Sequence, residues 1–500
     1  MPGALPTLTK SRFTTGHQCQ KLLWWTEHEP GAEELKPSKV LLDRFDQGRH
    51  VTELARKRFP DATLIPHGAR EARLEATRLA LDFGTPVILE AAMEAEGVFV
   101  AADVLMREGD NWALIEVKSA TKAKDEHVPD VGVQVYVARK IGINVTRALV
   151  MHLNGDFRHP DTGDLFAETD ITDLVELFLP QAPDLIREYR TTLAGAIPDI
   201  PIGLQCFEPW DCPFHDRCWP DDPWHISALY NTGPKKTAAY LQQGITSIRD
   251  LPANKKHPDA AARQLRALKS GTMIVEPELG DVLKKELGDA RLGYLDFETI
   301  NRAVPVWNGL GPWRAAVVQF SYHEDVTSDA LRVTRHPSRV TRDYKHSAYL
   351  AEGPHDPRPE LAERMLEATR SAEKIVMYSS FERTRINELA IQVPTLAADL
   401  NTLAGKLVDL LPIVRNNVYH PNFKGSFSLK YILSPLVPDL TYNDLAIVDG
   451  QVASVEIARL LFVAHLVKER DQLREDLLAY CERDTWAMVR LVERLRELAA

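Results

Sequence analysis

The sequence predicts an α/β protein built from more than one domain. Three observations carry this expectation. Segments with the two-residue alternation of half-buried strands (97–107, 111–119, 291–300 and 315–322) are interleaved with stretches of helical period. The chain has 500 residues, room for two to four domains at about 100–200 residues each. Apolar residues make up 44% and charged residues 26%, globular values that exclude a fibrous or mainly disordered chain.

Composition divides the chain into three regions. Residues 1–225 mix helix and strand patterns and hold four of the five cysteines. Residues 226–287 are helical and basic. Residues 288–500 open with a strand and close with a long amphipathic helix. The net charge of −11 excludes a globally basic nucleic-acid coat but allows a local basic patch. Five cysteines are too few for a disulfide scaffold of this size. They suit a reduced, cytoplasmic setting in which a cysteine cluster reads as a metal site. The first 20 residues lack the apolar core of a signal peptide. The most apolar stretch, 455–467, is broken by Glu456, Arg459 and His465, so it reads as a buried or amphipathic helix and no membrane span is expected.

In the first region, Gly97–Arg107 and Asn111–Ser119 form a hairpin around Glu108-Gly109-Asp110. A turn centred between Gly109 and Asp110 sets Asp103 opposite Glu116. Lys118 shares the face of Glu116, two residues away. Paired carboxylates suit a divalent cation with oxygen ligands, and the lysine can neutralise charge developing on phosphorus. The same spacing also fits a solvent-facing ion pair.

This hairpin resembles the RecB-like branch of the PD-(D/E)XK nucleases, a restriction-endonuclease-like fold. Asp103 matches their lone Asp, and Glu116-Val117-Lys118 matches Glu-x-Lys. Gln134 and Tyr136 match their Gln…Tyr motif, with the tyrosine two residues on where the family spaces it four. The resemblance implies Mg²⁺ or Mn²⁺ on Asp103, Glu116 and an upstream helical ligand, Glu53 or alternatively His50, with Lys118 and Gln134 catalytic.

Cys19 precedes this core; Cys206, Cys212 and Cys218 follow it at even spacing. The pattern resembles the iron–sulfur clasp of CRISPR-associated RecB-type exonucleases and AddB-type helicase–nucleases. It implies a [4Fe–4S] cluster tying the ends of the domain together. Four thiolates also suit Zn²⁺. Cys481 reads as a core residue.

Between Ile226 and Val275 lie eight basic residues (Lys235, Lys236, Arg249, Lys255, Lys256, Arg263, Arg266, Lys269) and two acids. Residues 229–251 are similar to a helix-hairpin-helix module, which presents backbone N–H groups and lysines to phosphates. Gly233, Lys235 and Lys236 are its candidate contacts, and a plain helical linker fits the same pattern.

In the third region, Asp296 and Glu298 lie two apart on one strand, with Leu295 and Phe297 on its other face. Strand 315–322 can pair with it antiparallel. Tyr480 and Asp484 share one helix face. Together these groups could hold two metals against a phosphodiester. Asp296-Phe297-Glu298 and Tyr480-x3-Asp484 resemble the first and third motifs of the DnaQ-like DEDD exonucleases, which have an RNase H-like fold. Phe381-Glu382 stands where their second motif has Phe-Asp, and Asp409 is a further acid able to replace or support Glu382. The resemblance implies two Mg²⁺ or Mn²⁺ ions on Asp296, Glu298 and Asp484, with Glu382 helping and Tyr480 orienting water. It also implies a 3′–5′ exonuclease acting on nucleic acid, DNA ahead of RNA. Ser428 reads as a helix cap, and Lys430 either meets a phosphate or is solvated.

Overall fold

A computed structural model describes residues 5–160, 163–251, 258–326, 343–463 and 469–500; Lys255, Lys256 and His465 lie outside the described residues. The architecture is mixed α/β and forms two compact units. The first comprises Met1–Trp219 with Arg302–Val306 and Leu310–Trp313; the second comprises Pro220–Asn301, Trp307–Gly309 and Arg314–Ala500.

Among the described residues the first unit holds seven strands: β1 (Leu8–Thr9), β2 (Thr63–Leu64), β3 (Val87–Ala95), β4 (Val98–Glu108), β5 (Asn111–Lys118), β6 (Val145–Leu153) and β7 (Phe166–Asp170). Their order is β2-β3-β4-β5-β6-β7, with β1 beside β4. Gly109 turns the β4–β5 hairpin with φ +65°, a value an L side chain resists. The resulting register sets Val104 opposite Ile115 and Glu108 opposite Asn111, as the turn predicts. The β5–β6 pair is parallel and is bridged by helix His127–Lys140.

Alternation along β5 assigns its two faces. Leu114 packs with Val133, Val137 and Leu105 in one core. Ile115 and Val117 pack on the opposite face with Val51 and Ala55 of helix Lys39–Arg56. Ala303, Val304 and Trp313 complete that second core. The Ala303 N–H donates to Gln47 Oε1 (2.6 Å), the Trp313 indole to the Ser119 carbonyl (2.6 Å), and Arg302 pairs with Asp43 (2.7 Å). Each fully buried aliphatic side chain here contributes roughly 1.5–3 kcal/mol.

The second unit contains β8 (Ile274–Val275), β9 (Leu292–Asn301), β10 (Ala315–Asp325), β11 (Tyr344–Leu350), β12 (Lys374–Met377), β13 (Leu407–Asp409) and β14 (Val418–Tyr419). A five-stranded sheet runs β11-β10-β9-β12-β13, antiparallel among β9, β10 and β11 and parallel from β9 through β13; β8 pairs with β14. Leu295 and Phe297 enter a core with Phe320, Leu361, Met365 and Ile386. Helix Arg470–Leu498 packs on β9 and β10, and its Met488, Leu491 and Leu495 join a separate core with Leu292 and Tyr294.

The segment 226–287 departs from a helix-hairpin-helix. It contains a 3₁₀ turn at Ile226–Ala228, helix Gly233–Gln242, a second 3₁₀ turn at Ile248–Asp250, and helices Asp259–Ser270 and Leu279–Glu286. Residues 226–232 carry a 3₁₀ turn and no α-helix, because Asn231 and Gly233 both take positive φ (+59° and +65°), which a right-handed helix cannot pass through. Ala260, Ala267, Leu279 and Leu283 pack with Leu292, so the segment is built into the second unit. Helix Gly450–Phe462 occupies most of the stretch read as amphipathic. No helix among the described residues is long and apolar enough to cross a membrane.

Candidate functional site

The C-terminal motifs converge. Asp296 and Glu298 lie opposite Ser321 and Gln319 of β10, on the face covered by helix Arg470–Leu498. One ligand atom from each of Asp296, Glu298 and Cys481 lies within 4.8 Å of the others, and the Cys481 thiol donates to Asp296 Oδ2 at 3.6 Å. Glu382 arrives from the first turn of helix Phe381–Gln392, after Ser379 redirects the chain beyond β12 with φ +84°. Tyr442 donates its hydroxyl to Asp484 Oδ1 at 2.5 Å. Lys430 donates to Tyr480 Oη at 3.0 Å and sits 4.9 and 5.1 Å from the ring centroids of Tyr480 and Tyr442. A Cβ on Gly450 would lie 3.6 Å from Glu298 Oε2 and 3.9 Å from Tyr480 Oη, so the start of helix Gly450–Phe462 also lines the pocket.

The electrostatics follow from crowding four carboxylates, three of them buried and Asp296 half-buried, beside Lys430 and Arg483. Burial raises the Asp296 carboxyl, and Asp484, Glu382 and Glu298 raise it further. Glu298 is raised by burial and Asp484 against the pull of Lys430. Burial also raises Asp484, opposed by the Tyr442 hydrogen bond and Lys430. Glu382 is pushed up to about 8, mainly by burial, and its Oε2 is buried without a hydrogen-bond partner. Such a set has the hard oxygen donors and excess negative charge that divalent cations take. Burial and Asp484 keep the Tyr480 hydroxyl protonated.

Asp409 is engaged differently. Its Oδ1 accepts the N–H groups of Ser379 and Leu411, each at 2.9 Å, so it caps helix Leu410–Asn417 and pins the turn that presents Glu382. Ser428 occupies the N-cap position of helix Leu429–Leu436, but its side chain makes no capping bond there.

In the first unit, Glu116, Lys118 and Gln134 also meet. Lys118 Nζ reaches Glu116 Oε1 (2.9 Å) and Asp130 Oδ2 (2.5 Å), and Gln134 donates to Glu116 Oε2 (2.9 Å). The β4–β5 ladder ends at Val104–Ile115; beyond it, Asp103 Oδ2 accepts the Val117 N–H at 2.8 Å. Two further members, Lys10 and Asp130, had no counterpart in the sequence motifs. Lys10 Nζ lies 2.8 Å from Glu116 Oε1 and 3.7 Å from Asp130 Oδ1. Burial pulls Lys10 and Lys118 down, but Glu116 and Asp130 outweigh it and both ammonium groups are held charged. Burial would raise Glu116; Lys10 and Lys118 reverse this and hold it low. Asp103 is pushed up to about 7 by burial and by Glu116.

Glu53 and His50 do not reach this cluster. Both are exposed on helix Lys39–Arg56, whose Val51 and Ala55 pack against the face of β5 opposite to Glu116. Tyr136 is also directed elsewhere, donating to Glu96 Oε2 at 2.7 Å.

Cys19, Cys206, Cys212 and Cys218 all line one cavity with Trp25, Phe214 and His215, and all four are free thiols. The Cys212 N–H donates to the Cys206 carbonyl at 2.9 Å. Burial pushes the Cys212 thiol up to about 11, with Cys206, Cys19 and Cys218 adding to the shift and a backbone N–H opposing it. Mutually close thiols that resist ionisation in isolation are what a bound metal would stabilise as thiolates. In the basic segment, Gly233 opens its helix with Lys235 and Lys236 exposed in the first turn. Lys236 Nζ donates to the Asn231 carbonyl at 3.3 Å.

A family model described as a domain of unknown function (DUF2779) matches residues 293–428. That span holds Asp296, Glu298, Glu382 and Asp409 and ends before Lys430, Tyr480 and Asp484. No curated protein matches the chain. Among solved structures, an alkaline exonuclease (LHK-Exo) from Laribacter hongkongensis is 14% identical, with 38% of this chain and 90% of that chain covered and a TM-score of 0.24. A protein described as SSO0001 is 14% identical, with 42% of this chain and 95% of that chain covered and a TM-score of 0.16.

Proposed function

We propose that the chain is a metal-dependent nuclease whose principal site is the acidic pocket of Asp296, Glu298, Glu382 and Asp484. The observation that carries this reading is the convergence of those four carboxylates from three separate elements, Glu298, Glu382 and Asp484 buried and Asp296 half-buried, with Lys430 and Arg483 as the cations acting on them among the described residues. Mg²⁺ or Mn²⁺ held there would polarise a phosphodiester and acidify its attacking water. Tyr480, kept protonated and fixed by Lys430, offers a hydroxyl to position that water. The resemblance of the three motifs to DnaQ-like exonucleases favours release of mononucleotides from 3′ ends, with DNA ahead of RNA.

The RecB-like cluster is a second nuclease site in this reading, with Asp103 and Glu116 as metal ligands and Lys118 and Gln134 in support. Its charge balance differs. Asp103, Glu116 and Asp130 face two lysines, and Lys10 already occupies one side of Glu116. Metal entry there requires Lys10 to move away. That ion pair favours a second reading for the first unit, a nucleic-acid-binding scaffold with its own site closed. A [4Fe–4S] cluster on the four cysteines, or alternatively Zn²⁺, would clasp residues 19 and 206–218. Gly233, Lys235 and Lys236 are proposed phosphate contacts.

The test is a Mn²⁺-dependent digestion of end-labelled single-stranded DNA, duplex DNA and RNA by protein purified without oxygen. Asp296→Asn is expected to abolish mononucleotide release, and Lys118→Ala to remove only cleavage that belongs to the first unit. Full wild-type activity in Asp296→Asn overturns the principal site. Unchanged digestion by Lys118→Ala assigns the first unit to the scaffold reading.

A further inference from the structure

His323 of β10 and His346 of β11 face each other across the antiparallel ladder, with ring centroids 4.5 Å apart. Glu482, from helix Arg470–Leu498, joins them. One ligand atom from each of the three residues lies within 4.8 Å of the other two.

Placing the Thr485 proton on the Glu482 carbonyl assigns the imidazole protons through the surrounding hydroxyls. The Thr485 hydroxyl donates to the Glu482 carbonyl at 3.0 Å, so its oxygen accepts its remaining bonds. Those come from the Ser321 hydroxyl (2.8 Å) and from His323 Nδ1–H (2.8 Å). With the Ser321 proton committed, Ser321 Oγ accepts from His346 Nε2–H at 2.9 Å. Each ring thus spends its one N–H on a hydroxyl and keeps one bare lone pair, on Nε2 of His323 and on Nδ1 of His346. His346 Nδ1 faces Glu482 Oε1 at 3.7 Å. That separation is too long for a hydrogen bond, and between a lone pair and a carboxylate it brings two acceptors together with no proton to share.

We propose that His323, His346 and Glu482 form a binding site for a divalent transition-metal ion of the zinc class. An ion bonded at about 2.0–2.1 Å to nitrogen and oxygen places its ligand atoms roughly 3–4 Å apart, which matches the His346–Glu482 separation. Imidazole donors select such an ion over Mg²⁺. The hydroxyl bonds to the opposite ring nitrogens are the outer support that orients metal-binding histidines. Three protein ligands leave one tetrahedral position for water. Bound there, the ion ties the β10–β11 pair to the helix that carries Tyr480 and Asp484, so the site is distinct from the carboxylate pocket but anchored on the same element.

The experiment measures zinc bound by the full chain after equilibration with buffered Zn²⁺, together with zinc-edge X-ray absorption. His346→Gln and Glu482→Gln are compared with wild type and with Cys212→Ala. Wild type is expected to show imidazole scattering and one zinc equivalent that Cys212→Ala retains. Both site variants are expected to lose that equivalent, with affinity falling at least about tenfold. Glu482 is exposed, so its substitution tests the site without disturbing the core, and circular dichroism checks that fold. Wild-type protein that shows no imidazole-bound zinc, or variants that keep the wild-type zinc content and affinity, would overturn the proposal.

Discussion

Replacing Glu382 by glutamine in the metal-free protein should make its stability less sensitive to pH. The Glu382 carboxyl is held near 8 in the folded chain against an ordinary value of 4.5, first by burial. The folded state therefore binds this proton more tightly than the unfolded state. Stability from this group is fully present below about pH 4.5 and is lost as pH rises through about 8. Treated as an isolated group, the loss between pH 5 and pH 8 is about 3.5 kcal/mol, an upper figure because Asp296, Asp484 and Asp409 share the charge. For a unit of this size that corresponds to a fall in Tm on the order of 5–10 °C. Glu382→Gln keeps the shape and removes the ionisation. The assay is thermal unfolding of both proteins with a chelator present, at intervals from pH 5 to pH 8. The variant's curve should be flatter, and it should overtake wild type at the alkaline end. Adding Mn²⁺ at pH 8 should then raise the wild-type Tm by more than the variant's. Parallel pH curves for the two proteins would refute the claim that burial of Glu382 among neighbouring carboxylates opposes its ionisation.

Three further outcomes can be stated together. Lys118→Met should lower stability by about 3 kcal/mol in denaturant titration, because it removes a partner from the buried Glu116–Asp130 cluster; a change below about 0.5 kcal/mol would mean that Lys10 alone balances the charge. Cys212→Ala should lose visible absorption near 400 nm in anaerobic preparations and lower the Tm of the first unit, whereas zinc recovered in place of iron from wild type would reject the iron–sulfur assignment. Gly425→Ala should cost roughly 1–3 kcal/mol for the backbone alone, since Gly425 has φ +78° and an added Cβ would lie 2.0 Å from the Ala228 carbonyl oxygen; wild-type stability in that variant would show the two segments are not held together.

Local pattern made much of this legible beforehand. The turn at Gly109 alone fixed the β4–β5 register, because a two-residue hairpin leaves one pairing that keeps apolar residues inside. Strict alternation separated Asp296 and Glu298 from Leu295 and Phe297 for the same reason. Partners supplied from distant sequence were not legible. Lys10 meets Glu116 from 106 residues away, and nothing in its neighbourhood distinguishes it from a solvated lysine. Asp130 was within reach, since it precedes Gln134 by one helical turn and so shares its face. Cys481 is the core residue expected from the sequence, on an amphipathic helix, and its position there also turns it toward Asp296. Glu53 and His50 show the opposite failure. Their order along the chain fitted a motif, but the apolar residues Val51 and Ala55 decided which face of the helix turned inward.

The core that Ala303, Val304 and Trp313 complete bears on how this protein is made. During synthesis the first 219 residues emerge well before Arg302–Trp313, and at about 5–20 residues per second the wait is on the order of ten seconds. Through that interval Gln47 lacks the Ala303 N–H, Asp43 lacks Arg302, and the apolar floor beneath them is open to water. A nascent chain in that state offers chaperones a defined place to bind. Anyone expressing the first unit alone inherits the same opening permanently, unless residues 302–313 are grafted back onto its end.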